Sequence, residues 1–192
     1  MNKTRLEAFS DAVIAIIMTV MVLELKIPHG SDLDALRPLV PVFLAYILSF
    51  LYLGIYWNNH HHMLQATRTV NGKVLWANLL LLFWLSLVPF ATGWMGENHF
   101  EPLPTALYSV VLLMCALSYT LLQSKLTKHS AGENELLAEA VGSDMKGKIS
   151  LGLYVIAIGL AFVQQNISHA IYLFVALMWF IPDRRIERRI TQ

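Results

Sequence analysis

The sequence predicts an all-α integral membrane protein with six transmembrane helices per subunit. Three observations carry that reading: a strongly apolar composition, apolar runs of membrane length, and basic residues gathered on one side of those runs. Apolar residues make up 56% of the 192 and charged residues only 14%, with a mean hydropathy of +0.54. Soluble domains carry about 25% charged residues. About 20 apolar residues at 1.5 Å rise each cross the hydrocarbon layer, and such runs fall near 8–25, 38–58, 74–95, 104–123, 149–165 and 168–182.

Charge placement tests the partition independently. With the N-terminus cytoplasmic, the inside segments hold 12 of the 14 basic residues, and only Lys26 and Arg37 lie outside. That bias predicts an even number of spans and both termini inside. The chain reads as one six-helix domain, 1–192, with a cytoplasmic loop at about 124–148 and a basic cytoplasmic tail at about 183–192. The net charge of +1 says nothing about nucleic acid, and no basic run is interleaved with base-stacking aromatics, so no nucleic-acid partner is expected. Asp11 just ahead of the first apolar run, with no small-residue cleavage site behind it, marks a retained helix rather than a signal peptide. The single Cys115 excludes an internal disulfide and reads as a small buried hydrophobe.

The first helix runs through "RLEAFSDAVIAIIMTVMVLELKIP". Thr4 and Glu7 fit a capping box that starts the helix at Arg5, and Pro28 is expected to stop it. At about 100° per residue, Ala12, Thr19, Val20, Leu23 and Ile27 fall within about 60° of Ile16 on one stripe. Asp11 lies about 140° away, Met18 roughly opposite, and Glu24 about 80° off near the outer end. Asp11 is therefore expected to meet its own subunit, with Arg5 and a histidine as available partners, because a carboxylate near hydrocarbon is costly unless paired. The stripe is apolar with one hydroxyl. It is compatible with lipid contact, with packing in the bundle, or with lining a narrow path, and periodicity alone does not choose.

The second span closes with "YWNNHHHML". Consecutive His60, His61 and His62 point about 100° apart on a helix, so they do not converge on one metal as histidines four apart would. One or two of them are expected to bond Asp11 or Ser10 at the inner interface. Trp57, Trp94, Tyr108 and Trp179 read as interfacial aromatics. In the third span Asn78 offers a hydrogen bond across helices, and Pro89 predicts a kink beyond Ser86. The fourth span carries Cys115, and the turn "QQNIS" between the short fifth and sixth spans is placed in the headgroup layer. The loop "LTKHSAGENELLAEAVGSDMKGK" is solvated, with room for one helical turn around "ELLAEA". The tail "DRRIERRI" fits either an inner-leaflet segment, with arginines toward anionic headgroups, or a stop-transfer anchor.

No hydrolase elbow, Walker loop or paired intramembrane aspartates occur, so enzyme chemistry has no support, and the potassium-filter sequence TVGYG is absent too. The pattern Arg5-x-x-x-Phe9-Ser10-Asp11 resembles the signature of the transmembrane protein 175 family. "LELKIP", "YWNNHHHML" and "WANLLLLFWLSLVPFATGW" extend the resemblance over the first half of the chain, and the second half follows in hydropathy. Animal members carry two six-helix repeats, so a single repeat is similar to the prokaryotic form, and a bacterial cell membrane is the location it implies. The resemblance implies a potassium-permeable channel, a homotetramer with four first helices around the pore and an apolar constriction as its filter. Its partners are further copies of itself, membrane lipid and permeant monovalent cations, with no cofactor and no metal. By position the constricting isoleucine matches Ile16, and further pore positions match Thr19, Val20 and Leu23. Thr19 matches a threonine that bears on cation preference. The motif implies a packing network of Arg5, Phe9, Ser10, Asp11, Trp57, His60 and Asn78. Glu24 falls at the outer mouth, where four carboxylates would concentrate cations, or else pairs with Lys26 or Arg37. The rival readings are a proton-coupled secondary transporter with Asp11 and the histidines as a relay, and a membrane assembly protein without transport. Broken midplane helices or repeated halves, expected of the transporter, are not visible.

Overall fold

The computed structural model describes residues 3–67, 69–130 and 144–180. Helix α1 (Lys3–Leu23) is followed by a short 3-10 helix (Leu33–Leu39) and α2 (Val40–Gln65). Then come α3 (Gly72–Ser86), α4 (Val88–Glu97), α5 (Pro102–Ser130), α6 (Met145–Leu160) and α7 (Gln165–Phe180). Among the described residues, four stretches are long and apolar enough to cross a membrane: α1, the 3-10 helix with α2, α3 with α4, and α5. Within the described residues α6 and α7 span 16 residues each, about 24 Å at 1.5 Å per residue.

Several boundaries differ from the expected ones. Helix α1 begins at Lys3 and puts Thr4 inside the helix rather than at its cap. It ends at Leu23, not at Pro28, because the chain tightens there into i→i−3 bonds, Glu24 N–H to Met21 O and Leu25 N–H to Val22 O. The second helix continues past 58 to Gln65, and the fourth runs on to Ser130. With α6 starting at Met145, the connection between α5 and α6 is shorter than 124–148. The helical turn considered around "ELLAEA" and the basic tail lie outside the described residues. The kink expected at Pro89 is a break: α3 stops at Ser86, and α4 restarts with Pro89 in its first turn, where a missing N–H costs nothing.

Helix α5 is the spine of the bundle and packs against α3, α4 and α6. Helix α2 reaches α4 and α7, and α1 lies against α2, α3 and α4. The backbones of α4 and α2 come close at Gly96, where a Cβ would stand 2.6 Å from Val42 Cα. Only glycine lets α4 and α2 meet there, in the manner of small residues at membrane helix contacts. Cys115 is fully buried in the core.

Candidate functional site

Helix α1 divides into two faces. Leu6, Ser10, Ile14, Ile17 and Met21, spaced three or four apart, are buried against the rest of the subunit. Arg5, Phe9, Ala12, Ile16, Thr19, Val20 and Leu23 are exposed on the other side, Ile16 at 61% and Leu23 at 77%. Met18, set opposite Ile16, packs against the core. The Thr19 hydroxyl donates to Ile16 O at 2.9 Å. A hydroxyl has one proton and two lone pairs, so what Thr19 presents to the exposed face is acceptor oxygen. Ile27 does not extend the stripe, because the helix ends four residues before it.

Glu24 stands in the turn after α1, its side chain over Gly93 of α4, where an added Cβ would lie 3.4 Å from Oε2. The cations considered as its partners pair elsewhere: Lys26 Nζ is 2.7 Å from Glu97 Oε1, and Arg37 Nε is 3.1 Å from Asp34 Oδ1. The hydrogen bond to Glu97, and then its charge, raise the Lys26 ammonium above its ordinary value.

The foot of α1 is tied down by polar bonds. Ser10 Oγ donates to Leu6 O at 2.8 Å and accepts from Asn78 Nδ2 at 2.9 Å. Asn78 Oδ1 lies 2.7 Å from His60 Nε2. With the amide oxygen accepting, His60 carries its proton on Nε2. All three side chains are fully buried. Trp57 Nε1 donates to Asp11 Oδ1 at 3.0 Å, and Lys3 Nζ donates to Leu64 O and Gln65 O, both at 3.1 Å. Lys3 thus satisfies the last carbonyls of α2. His61 Nδ1 is 3.1 Å from Glu7 Oε1, a close contact without hydrogen-bond geometry.

Within the expected network, the structure brings together Ser10, Asn78 and His60, and separately Asp11 and Trp57. The partner of Asp11 is the Trp57 indole rather than Arg5 or a histidine, so Trp57 is a bonded residue and not a free interfacial aromatic. His60 reaches Ser10 through Asn78 instead of directly. Arg5 and Phe9 do not turn inward with their motif neighbours. They lie about 20° either side of Ile16 on the exposed face. Among the described residues, no group of three His, Cys, Asp or Glu side chains could hold a metal ion.

A second buried polar layer was not foreseen. Ser49 Oγ lies 2.8 Å from the Tyr108 hydroxyl and 2.7 Å from Thr92 Oγ1. Tyr52 donates to Tyr172 O at 2.7 Å. The Tyr172 hydroxyl bonds Ser109 and donates to Thr105 O at 3.0 Å. Tyr108, expected at the interface, is fully buried, and Trp179 donates to Ser150 Oγ at 2.9 Å. The signal was present in the spacing: Ser49, Tyr52, Tyr56 and His60 recur every three or four residues down one face of α2, as Thr105 and Ser109 do on α5.

These features define an α-helical integral membrane protein whose first helix is pinned at its foot and turns an apolar, hydroxyl-bearing face away from its own subunit. The family described as "Endosomal/lysosomal potassium channel TMEM175" matches residues 5–89. A potassium channel of Chryseobacterium sp. (strain P1-3) is 53% identical over 192 residues, the whole of both chains. A potassium channel of Streptomyces collinus is 31% identical over 190 residues, 93% of this chain and 92% of that one. The crystal structure of a lysosomal potassium-selective channel TMEM175 homolog from Chamaesiphon minutus superposes with a TM-score of 0.80 at 26% identity, covering 93% of this chain and 96% of that one. The chain belongs to the TMEM175 family, a family of ion channels and not of enzymes.

Proposed function

We propose that this chain is the subunit of a potassium-permeable cation channel in which four copies assemble with α1 around a central axis. The observation that carries the reading is the two-faced α1: one face is buried in the subunit, and the other exposes Ile16, Val20 and Leu23 at 61%, 38% and 77% with Thr19 among them. The relatives named potassium channels support the choice of ion. Both termini face the cytoplasm of a bacterial cell, as the basic residues favour, and residues 1–192 act as one domain.

In this reading Ile16 is the tightest point. Four bulky β-branched side chains with restricted rotamers make a narrow, poorly wetted ring that ions cross only when it widens and hydrates. One turn outward, Thr19 offers lone pairs to a partly dehydrated cation. Glu24, beyond the helix end, gathers cations at the outer mouth. The inner half of α1 is fixed by directional bonds, whereas the outer half rests on Ile14, Ile17 and Met21 through apolar contacts. Such contacts have no preferred direction, so the outer half can rotate or lean without breaking a hydrogen bond.

The test is recording from purified protein in planar bilayers under bi-ionic potassium and sodium. Cysteine at position 16 reacts with aqueous thiol reagents and blocks the current, and cysteine at position 18 does not. A blocking Met18→Cys with an inert Ile16→Cys would place the pore face on the wrong side of the helix. No potassium current in the unmodified protein would sink the channel reading itself.

A further inference from the structure

The motif at the foot of α1 splits between two directions. Ser10 and Asp11 turn into the subunit and are bonded there. Arg5 and Phe9 sit at about −20° and +20° from Ile16, Arg5 exposed in the first turns of the helix and Phe9 half exposed. The other charged groups of this segment are engaged: Lys3 with the α2 carbonyls, Glu7 against His61, Asp11 with Trp57. Arg5 is therefore the charge that α1 leaves on the axial face at its N-terminal end.

We infer that four Arg5 guanidiniums form a cationic collar at the inner entrance, which lowers the local potassium concentration and so sets how easily potassium leaves from that side. The inference rests on the four-helix pathway proposed above. It makes Arg5 a determinant of rectification rather than of ion choice, because the constriction that discriminates cations lies three turns farther along the same stripe. The size of the effect follows from Coulomb's law with screening. If each guanidinium is taken at one screening length from the axis, about 10 Å at 0.1 M salt, four unit charges deplete potassium about threefold. At 1 M, where that length is about 3 Å, the depletion falls to about one tenth.

The experiment measures current carried by potassium entering from the N-terminal side of α1, in symmetric potassium at 0.1 M and 1 M. Arg5→Gln is expected to raise it about threefold at 0.1 M and hardly at all at 1 M, by the same screening estimate. Arg5→Lys should match the unmodified channel, and the potassium-to-sodium reversal potential should not move. Because Arg5→Gln could impair assembly, Arg5→Cys is also modified after reconstitution: a cationic methanethiosulfonate should lower the current and an anionic one raise it. An Arg5→Gln current equal to that of the unmodified channel at 0.1 M, an increase independent of salt, or modification insensitive to reagent charge would each overturn the collar. Failure of the underlying pathway is told apart by the Ile16 and Met18 cysteines, whose pattern does not depend on Arg5.

Discussion

Replacing Asn78 by leucine removes the residue that joins α1, α2 and α3 near the N-terminal end of α1. Asn78 donates to Ser10 at 2.9 Å and accepts from His60 at 2.7 Å, and all three side chains are fully buried. Ser10 would keep its bond to Leu6 O. His60 would keep none, because its Nδ1 already has no partner and its Nε2 proton would lose the only acceptor it has among the described residues. An orphaned buried donor costs about 1–3 kcal/mol. The two lost interhelical bonds add about 0.6 kcal/mol each by membrane double-mutant measurements. Asn78→Leu should therefore destabilise the subunit by about 2–4 kcal/mol. His60→Phe with Asn78→Leu removes both ends of the bond and should cost less than the sum of the single changes, with a coupling of about 1–2 kcal/mol. Reversible unfolding in mixed detergent and dodecyl sulfate micelles gives the four free energies of the cycle. Asn78→Leu within about 0.5 kcal/mol of the unmodified protein, or strict additivity in the double variant, would refute the reasoning.

Thr19→Ala removes acceptor oxygen from the exposed stripe, worth about 0.5–1.5 kcal/mol net per hydrogen-bonding group, and should lower potassium preference several-fold while current persists. An unchanged reversal potential in bi-ionic recording would count against it. Asp11→Asn can still accept from Trp57 and should weaken assembly modestly, whereas Asp11→Leu leaves the indole N–H without its acceptor and should lower the yield of assembled protein on size exclusion much further. In either variant the permeability ratio of whatever assembles should stay as it was, and a well-assembled Asp11 variant with altered selectivity would contradict the packing role.

The apolar stripe was legible because it depends only on the 3.6-residue period, which holds wherever α1 is regular. Its outer limit was not. Pro28 forbids a helix beyond it, but nothing local requires the helix to reach it, and the i→i−3 turn after Leu23 took Ile27 off the face. The second helix was read short for the opposite reason. "NNHHHMLQ" is too polar for a lone membrane helix, yet Asn59 bonds Ile55 O one turn back, and distant partners engage the rest of the end: Asn78 bonds His60, and Lys3 caps the last carbonyls. The Asp11–Trp57 bond joins residues 46 apart. Helical geometry says which way Asp11 points, but only tertiary packing says what stands there. The tyrosine and serine layer could have been read from its spacing, because hydroxyls repeating on one face of an apolar helix have nowhere in lipid to bond.

Helix α6 gives the subunit an uneven waist. The stretches from α1 to α5 are as tall as a bilayer or taller, whereas α6, bounded by Asp144 and Ala161, offers 16 residues, about 24 Å against a hydrocarbon layer of about 30 Å. Lipid beside α6 must thin, or the helix must tilt less than its neighbours and draw the headgroups toward its ends, each at a cost of fractions of a kcal/mol per Å. In the proposed tetramer, four such notches would make the ring sensitive to the length of the surrounding acyl chains. Thin membranes would seat it without strain, and thick ones would press on the α6 edge. Open probability measured across bilayers of graded chain length would read that pressure directly, and a flat response would show that the notch is filled by protein rather than by lipid.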